Sequence, residues 1–229
     1  YISDNQTFVS LSCQTIENWT CHNVGVNAYG VLNMVARSRY DKRISLAPLR
    51  IFTFITGDFD RSLENSDAAH FILREPPNYF SGLWEIMNFI AAKSNISLKQ
   101  LFGKKSDIHD TESLDEAQRL KREFALDVLI MELQRLDQIG FEFLLVHSPG
   151  ASELGNTNIP KNNLILRKLS NLYPDRFIFL SDVLANHYNN HDKLIYKDGL
   201  HYEEYGHLLV SNYLSPIITK IIQKDQISK

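Results

Sequence analysis

Phe141-Glu142-Phe143-Leu144-Leu145-Val146 is an almost unbroken apolar run with Gly140 standing directly before it. A short run of that kind, rich in aromatic and aliphatic residues, reads as a strand covered on both faces. Leu49-Arg50-Ile51-Phe52-Thr53-Phe54-Ile55 has the same character, Arg176 to Leu180 is a shorter version, and Thr20 to Val26 completes the strand candidates. Strands buried on both faces need helices on each side. Helical patterns fall between them: Tyr29 to Arg39, Gly82 to Lys93, Ser113 to Ile139, a helix opened by Pro160 and running through Leu172, and a last one from Tyr202 to about Lys224. This alternation predicts an α/β layered fold with a mostly parallel sheet.

The longest predicted helix carries its own boundaries. Ser113 and Glu116 have capping-box spacing, and Gly140 supplies the stop. Leu114, Ala117, Leu120, Phe124, Val128 and Met131 recur at helical spacing and are expected to be its core face. Between Asp58 and Thr111 the alternation is interrupted by Pro76-Pro77, several aromatics and a polar stretch from Gly103. We read 58–111 as an insertion, partly helical, covering one end of the strands. With 229 residues, 44% of them hydrophobic, the chain can bury one sizeable core, so 1–229 is expected to form a single domain.

The net charge of -3 gives no electrostatic reason to expect nucleic acid. The densest basic cluster, Arg119, Lys121 and Arg122, shares its helix with Asp115, Glu116, Glu123 and Asp127, which cancel its field locally. No apolar run is long enough to cross a bilayer. Cys13 and Cys21 make neither a disulfide framework nor a zinc site, and the spacing leaves open whether they bridge or stay free thiols. Asn5-Gln6-Thr7, Asn18-Trp19-Thr20 and Asn95-Ile96-Ser97 fit the glycosylation pattern, which matters only in a secreted protein of a glycosylating source.

The chemistry is concentrated in Asp198-Gly199-Leu200-His201-Tyr202-Glu203-Glu204-Tyr205-Gly206-His207. An acid and an imidazole three positions apart on a Gly-containing turn let the carboxylate hold Nδ1 and leave Nε2 free as a base. The competing reading is a helix N-terminus capped by Asp198 with His201 merely exposed.

Asp198-x-x-His201 followed by Gly206-His207 resembles the last signature block of the SGNH (GDSL-type) hydrolases. Asn23-Val24-Gly25-Val26-Asn27-Ala28-Tyr29-Gly30 looks like that family's second block, and Ile51-Phe52-Thr53-Phe54-Ile55-Thr56-Gly57-Asp58 looks like its third. The three occur in the family's order. The resemblance implies a flavodoxin-like three-layer α/β/α sandwich and a Ser-His-Asp triad that cleaves carboxylic esters, with His201 and Asp198 as two members. It implies no metal and no organic cofactor, a small-molecule or glycan ester as substrate, and an extracytoplasmic location. Oligomeric state is not implied.

The departures from the family pattern are as informative. The Gly-Asp-Ser block that carries the nucleophile is expected just upstream of Tyr1, together with the first strand, which in the flavodoxin-like order lies between two others. Ala28 stands at a Gly whose N–H lines the oxyanion hole, and Gly57 stands at an Asn whose side chain donates there. Ala keeps the N–H. Gly57 loses a side-chain donor unless its own N–H or a neighbour such as Thr56 substitutes, a loss of about a hundred- to a thousandfold in turnover. These changes motivate a different class of function: an SGNH-fold module that binds a glycan or other ester-bearing ligand without cleaving it.

Ser10, Ser12, Ser148 and Ser152 are nucleophiles by type only, since none sits in GxSxG. His187 and His191 are four apart but flank Asn189-Asn190 and lack a third ligand, so a surface loop is expected. His207 reads as a helix residue without chemistry, and Asp182 as structural.

Overall fold

Both long apolar runs form strands. In the computed structural model, which describes residues 4–16, 18–25, 29–42, 44, 46–61, 111–155, 158–188 and 194–227, β1 is Leu49–Phe54, β2 is Glu142–His147 and β3 is Phe177–Phe179. They make a three-stranded parallel sheet in the order β1-β2-β3, with Leu49 opposite Glu142, Phe54 opposite His147, and Leu145 opposite Phe177. Each predicted boundary lies within a residue or two of the observed one. The α/β class holds.

Thr20 to Val26 forms no strand over its described residues, 20–25. Thr-Cys-His-Asn-Val-Gly offers one large aliphatic side chain, and most of the segment is exposed. Extended backbone with so little to bury has no reason to join a sheet.

The helices of the described residues are α1 (Phe8–Gln14), α2 (Val31–Tyr40), α3 (Thr111–Gln138), α4 (Ala151–Leu154), α5 (Asn158–Asn162), α6 (Leu164–Leu172), α7 (Ser181–Tyr188) and α8 (Glu204–Ile227). None is long and apolar enough to cross a membrane. By contact the chain divides into two compact units, one comprising Tyr1–Asn27, Ala47–Thr56 and Leu133–Lys229, the other Ala28–Leu46 and Gly57–Glu132. The expected helix at Gly82 to Lys93 and nearly all of the 58–111 insertion lie outside the described residues.

In the first unit β2 is the anchor. Phe143, Leu144, Leu145 and Val146 are all buried, and alternate residues face opposite sides, so both faces are covered. Each such side chain contributes roughly 1.5–3 kcal/mol relative to exposure. Leu144 and Val146 pack in a cluster with Leu180, Leu184, Ile195, Val210, Leu214 and Ile218, which carries α7 and α8 on one side of the sheet. The N-terminal helix α1 is held on α8: the Phe8 N–H donates to His207 Nδ1 at 3.2 Å, and Ser12 Oγ donates to Ser211 Oγ at 3.2 Å. Cys13 and Cys21 are joined as a disulfide, Cα atoms 5.9 Å apart.

In the second unit Glu132, fully buried on α3, accepts from Ser38 Oγ at 2.6 Å and from Arg39 Nε at 2.7 Å, both on α2. The buried face of α3 is not the expected one. Leu120, Phe124 and Met131 are 53%, 60% and 60% exposed, whereas Ala125, Leu126, Leu129, Leu133 and Leu136 are buried. Two apolar stripes share this helix at the same period, and periodicity alone does not choose between them. Its start also differs: α3 begins at Thr111, so Ser113 lies inside it rather than at its N-cap, and Glu116 pairs with Arg119 at 2.6 Å.

Pro160 does not open a long helix. It sits within short α5, and α6 starts afresh at Asn163, whose side chain accepts from the N–H groups of Ile165 (3.0 Å) and Leu166 (3.3 Å). A good N-cap satisfies backbone donors that a continuous helix would have used, so it breaks the segment in two.

Candidate functional site

The carboxyl ends of β1 and β2 carry a buried polar cluster, and the Asp198-to-His201 turn is fastened beside it. Tyr196 and Tyr202 form an antiparallel bridge; the Lys197 N–H donates to the His201 carbonyl at 2.8 Å, and the Glu203 N–H donates to that of Ile195 at 2.8 Å. These bonds close a loop whose tip is Asp198-Gly199-Leu200-His201. Gly199 has φ +87°, a conformation that residues with a Cβ rarely adopt. The Ala151 N–H, at the start of α4, donates to the Gly199 carbonyl at 2.8 Å.

Within the turn Asp198 does two jobs. Its Oδ1 accepts from the N–H groups of Leu200 at 3.2 Å and His201 at 2.9 Å, while Oδ2 meets His201 Nδ1 at 2.7 Å. The backbone N–H of His201, the His201 ring and the Leu200 N–H together draw the carboxyl down to about 2, so it is ionised at any ordinary pH. With Nδ1–H donating to the carboxylate, Nε2 carries the lone pair. Both side chains are exposed. Asp198 caps no helix, since α8 begins only at Glu204; its bonds to the Leu200 and His201 N–H groups close the turn on which it also orients His201.

Beneath it, Ser148 follows β2 and pairs its Oγ with Tyr202 Oη at 2.7 Å. The Tyr202 ring stacks on Tyr196, centroids 5.1 Å apart, and Tyr196 Oη donates to the Pro149 carbonyl. Burial pushes the Tyr202 phenol up to about 12 and the Tyr196 phenol up as well. Ser148 is buried with its hydroxyl committed to this network, which argues against a nucleophile there. Ser12 is committed to Ser211.

The second polar group is Thr56, His147 and Glu153. Thr56 Oγ1 donates to Glu153 Oε1 at 2.7 Å and lies 3.0 Å from His147 Nε2, and the Gly150 N–H donates to Glu153 Oε2 at 2.8 Å. His147 is fully buried; desolvation depresses its imidazole to about 4 against the opposing pull of Glu153, so the ring is neutral. Nε2–H donates to Thr56, and Nδ1 has no partner among the described residues. Thr56 thus spends its proton on Glu153 rather than offering it as a substitute oxyanion donor. Sequence reasoning missed Glu153 and His147. The Gly150–Glu153 spacing resembles a capping box and could have flagged Glu153, but nothing local marks His147.

Of the two expected oxyanion residues, Ala28 lies outside the described residues, and Gly57 falls in the second unit, where a Cβ would meet nothing within 4 Å. In that unit Gly30 is a close-approach glycine: a Cβ would fall 2.6 Å from Arg61 Cβ and 2.7 Å from the Asp58 carbonyl oxygen. This brings Tyr29-Gly30 against the segment after β1. Arg61 ties it there, with Nη1 donating to the Tyr29 carbonyl at 3.0 Å and pairing with Asp58 at 2.8 Å.

His187 belongs to α7 rather than a loop, its Nδ1 3.2 Å from Tyr205 Oη; His191 lies outside the described residues. Asp182 pairs with Lys161 at 2.6 Å. Among the described residues no group of three or more His, Cys, Asp or Glu side chains is placed to hold a metal ion. No protein-family model, curated protein or solved structure matches the chain.

Proposed function

We propose that the chain is a serine esterase resembling the SGNH (GDSL-type) hydrolases, built on a flavodoxin-like three-layer sandwich. The observation that carries this reading is the 2.7 Å contact between Asp198 and His201 on a turn fastened at Ala151, the first residue of the helix that follows β2. In open α/β sheets ligands bind outside the carboxyl ends of the strands.

His201 Nε2 takes the proton from a serine hydroxyl as its oxygen attacks the ester carbonyl. It then returns that proton to the departing alkoxide. Water, activated the same way, releases the acid. Asp198 fixes the ring and stabilises the imidazolium at each step. The resemblance calls for a nucleophilic serine in a Gly-Asp-Ser block, and for backbone N–H donors at the positions of Ala28 and Gly57. The substrate is a lipid, a short-chain ester or an O-acetylated carbohydrate.

The test uses the full-length protein and a chromogenic acetate ester. His201→Ala should lower kcat by about a thousandfold or more. Unchanged turnover removes His201 from the mechanism. One observation favours a second reading, a glycan- or ester-binding module that does not hydrolyse: the hydroxyl of Thr56 is occupied by Glu153, beside a Gly57 with no side chain. A serine-directed phosphonate that labels the intact protein rules this second reading out; no labelling, with ligand retained, supports it.

A further inference from the structure

The loop between α1 and the extended segment at Thr20 carries Asn18-Trp19-Thr20, and three features make it more than a sequence pattern. Asn18 is exposed and sits at φ 63°, in the left-handed region that Asn tolerates better than most residues. Thr20 is exposed too, whereas Trp19 between them packs against the core cluster, pinning the loop without covering its polar residues. The Cys13–Cys21 disulfide encloses the whole triplet. Disulfides form and persist in oxidising compartments, and in eukaryotic cells the endoplasmic reticulum is where Asn-x-Thr acceptors are also modified.

From this conjunction we infer that Asn18 is an N-glycosylation site of a protein that matures in the secretory pathway. The co-reactant is a lipid-pyrophosphate-linked oligosaccharide. The Asn18 side-chain amide nitrogen forms a bond to C1 of its first sugar, the C1–O bond to the pyrophosphate breaks, the lipid pyrophosphate leaves, and the amide gives up one proton. Asn5-Gln6-Thr7 is placed differently: Asn5, though exposed as well, lies in a 3-10 turn, and the Thr7 hydroxyl oxygen caps α1 by accepting from the Ser10 N–H. This inference does not depend on the esterase reading.

The experiment is peptide mass spectrometry on the protein purified from its own source. It is treated with peptide N-glycosidase in heavy-oxygen water and alkylated without reductant. Asn18 should appear as Asp carrying the heavy oxygen, and neither Cys13 nor Cys21 should be alkylated. In secreted full-length protein, Thr20→Ala should abolish the glycosidase-sensitive mobility shift assigned to Asn18 and Thr20→Ser should keep it, while Asn18→Gln gives the same loss if it folds. An unmodified Asn18, a glycan found only at Asn5 or Asn95, or freely alkylated thiols in the native protein overturns the proposal.

Discussion

The Ala151 N–H donates a 2.8 Å hydrogen bond to the carbonyl of Gly199, joining the first residue of α4 to the tip of a turn far along the chain. Gly150 permits the approach, since a Cβ there would lie only 3.3 Å from Leu200 Cδ2 and 3.5 Å from the Gly199 carbonyl oxygen. Glu153 steadies the same corner by accepting from the Gly150 N–H while it receives the Thr56 hydroxyl. The ends of β1 and β2 and the Asp198–His201 pair are thus linked through one short helix start. Placement of the imidazole depends on backbone conformation at Gly199.

Gly199→Ala should show that dependence. A residue with a Cβ pays about 1–2 kcal/mol to hold the left-handed conformation, so the turn relaxes instead and carries His201 with it. Melting should fall by a few degrees at most, while on the esterase reading hydrolysis by the full-length protein should fall at least tenfold. Equal proportional losses in folded fraction and activity would mean the turn has no special role.

The ionisation of Asp198 gives a pH test. Its carboxyl is held at about 2, below the ordinary 3.8, by donors that bind the charged form. The stabilisation it lends the turn is therefore present above about pH 4 and is lost as pH falls towards 2. Carbon-13 NMR of the labelled carboxylate should find a midpoint well under 3.8. A midpoint at the ordinary value would mean the turn is open in solution. On the esterase reading, Asp198→Asn should preserve the fold and reduce kcat by roughly a hundredfold or more, because the amide no longer selects the useful tautomer of His201.

How much of this was legible follows from where each signal resides. β2 could be read because a strand buried on both faces is apolar at nearly every position, whereas β1, from a run of the same look, alternates instead: Arg50, Phe52 and Phe54 are buried and Ile51 is 38% exposed. Thr20 to Val26 could not, because its extended look has no apolar face behind it. On α3 the sequence holds two stripes, and burial of Ala125, Leu129 and Leu136 rather than Phe124 and Met131 is settled by neighbours, not by period. Helix α1 escaped notice because Phe-Val-Ser-Leu-Ser-Cys-Gln has weak helix propensity; the Thr7 cap and the bond to His207 support it from outside the segment. The same holds at the site. Asp198 and His201 are three residues apart and could be paired on paper, whereas His147, Thr56 and Glu153 meet only through the register of two strands.

His147 should make folding stability sensitive to mild acid. Burial depresses its folded-state pKa to about 4 from 6.5, so the unfolded chain takes up a proton first. Stability is then fully present above about pH 6.5 and declines as pH falls towards 4, by roughly 3 kcal/mol over the window. His147→Gln keeps an amide donor near Thr56 but removes the titration. Urea unfolding at a series of pH values should show the wild type losing its advantage over the variant as pH drops. A constant difference from pH 7 to pH 4 would dismiss His147 as the source.

Gly206 sets two effects against each other. Ala is the better helix former by roughly 1 kcal/mol, so Gly206→Ala in α8 would stabilise an isolated helix. Here a Cβ would fall 2.4 Å from the Ile195 carbonyl oxygen and 3.1 Å from Tyr202 Cδ1, and backbone cannot yield cheaply. That same carbonyl accepts the Glu203 N–H at 2.8 Å, so relieving the clash stretches a bond that closes the loop carrying Asp198 and His201. Overpacking of this kind costs about 1–3 kcal/mol, to which a weakened hydrogen bond adds roughly 1 kcal/mol. Steric cost therefore outweighs propensity, and Gly206→Ala should lower the urea midpoint and, on the esterase reading, reduce turnover with it. A variant as stable as the wild type would show that α8 can shift away from Ile195 without penalty.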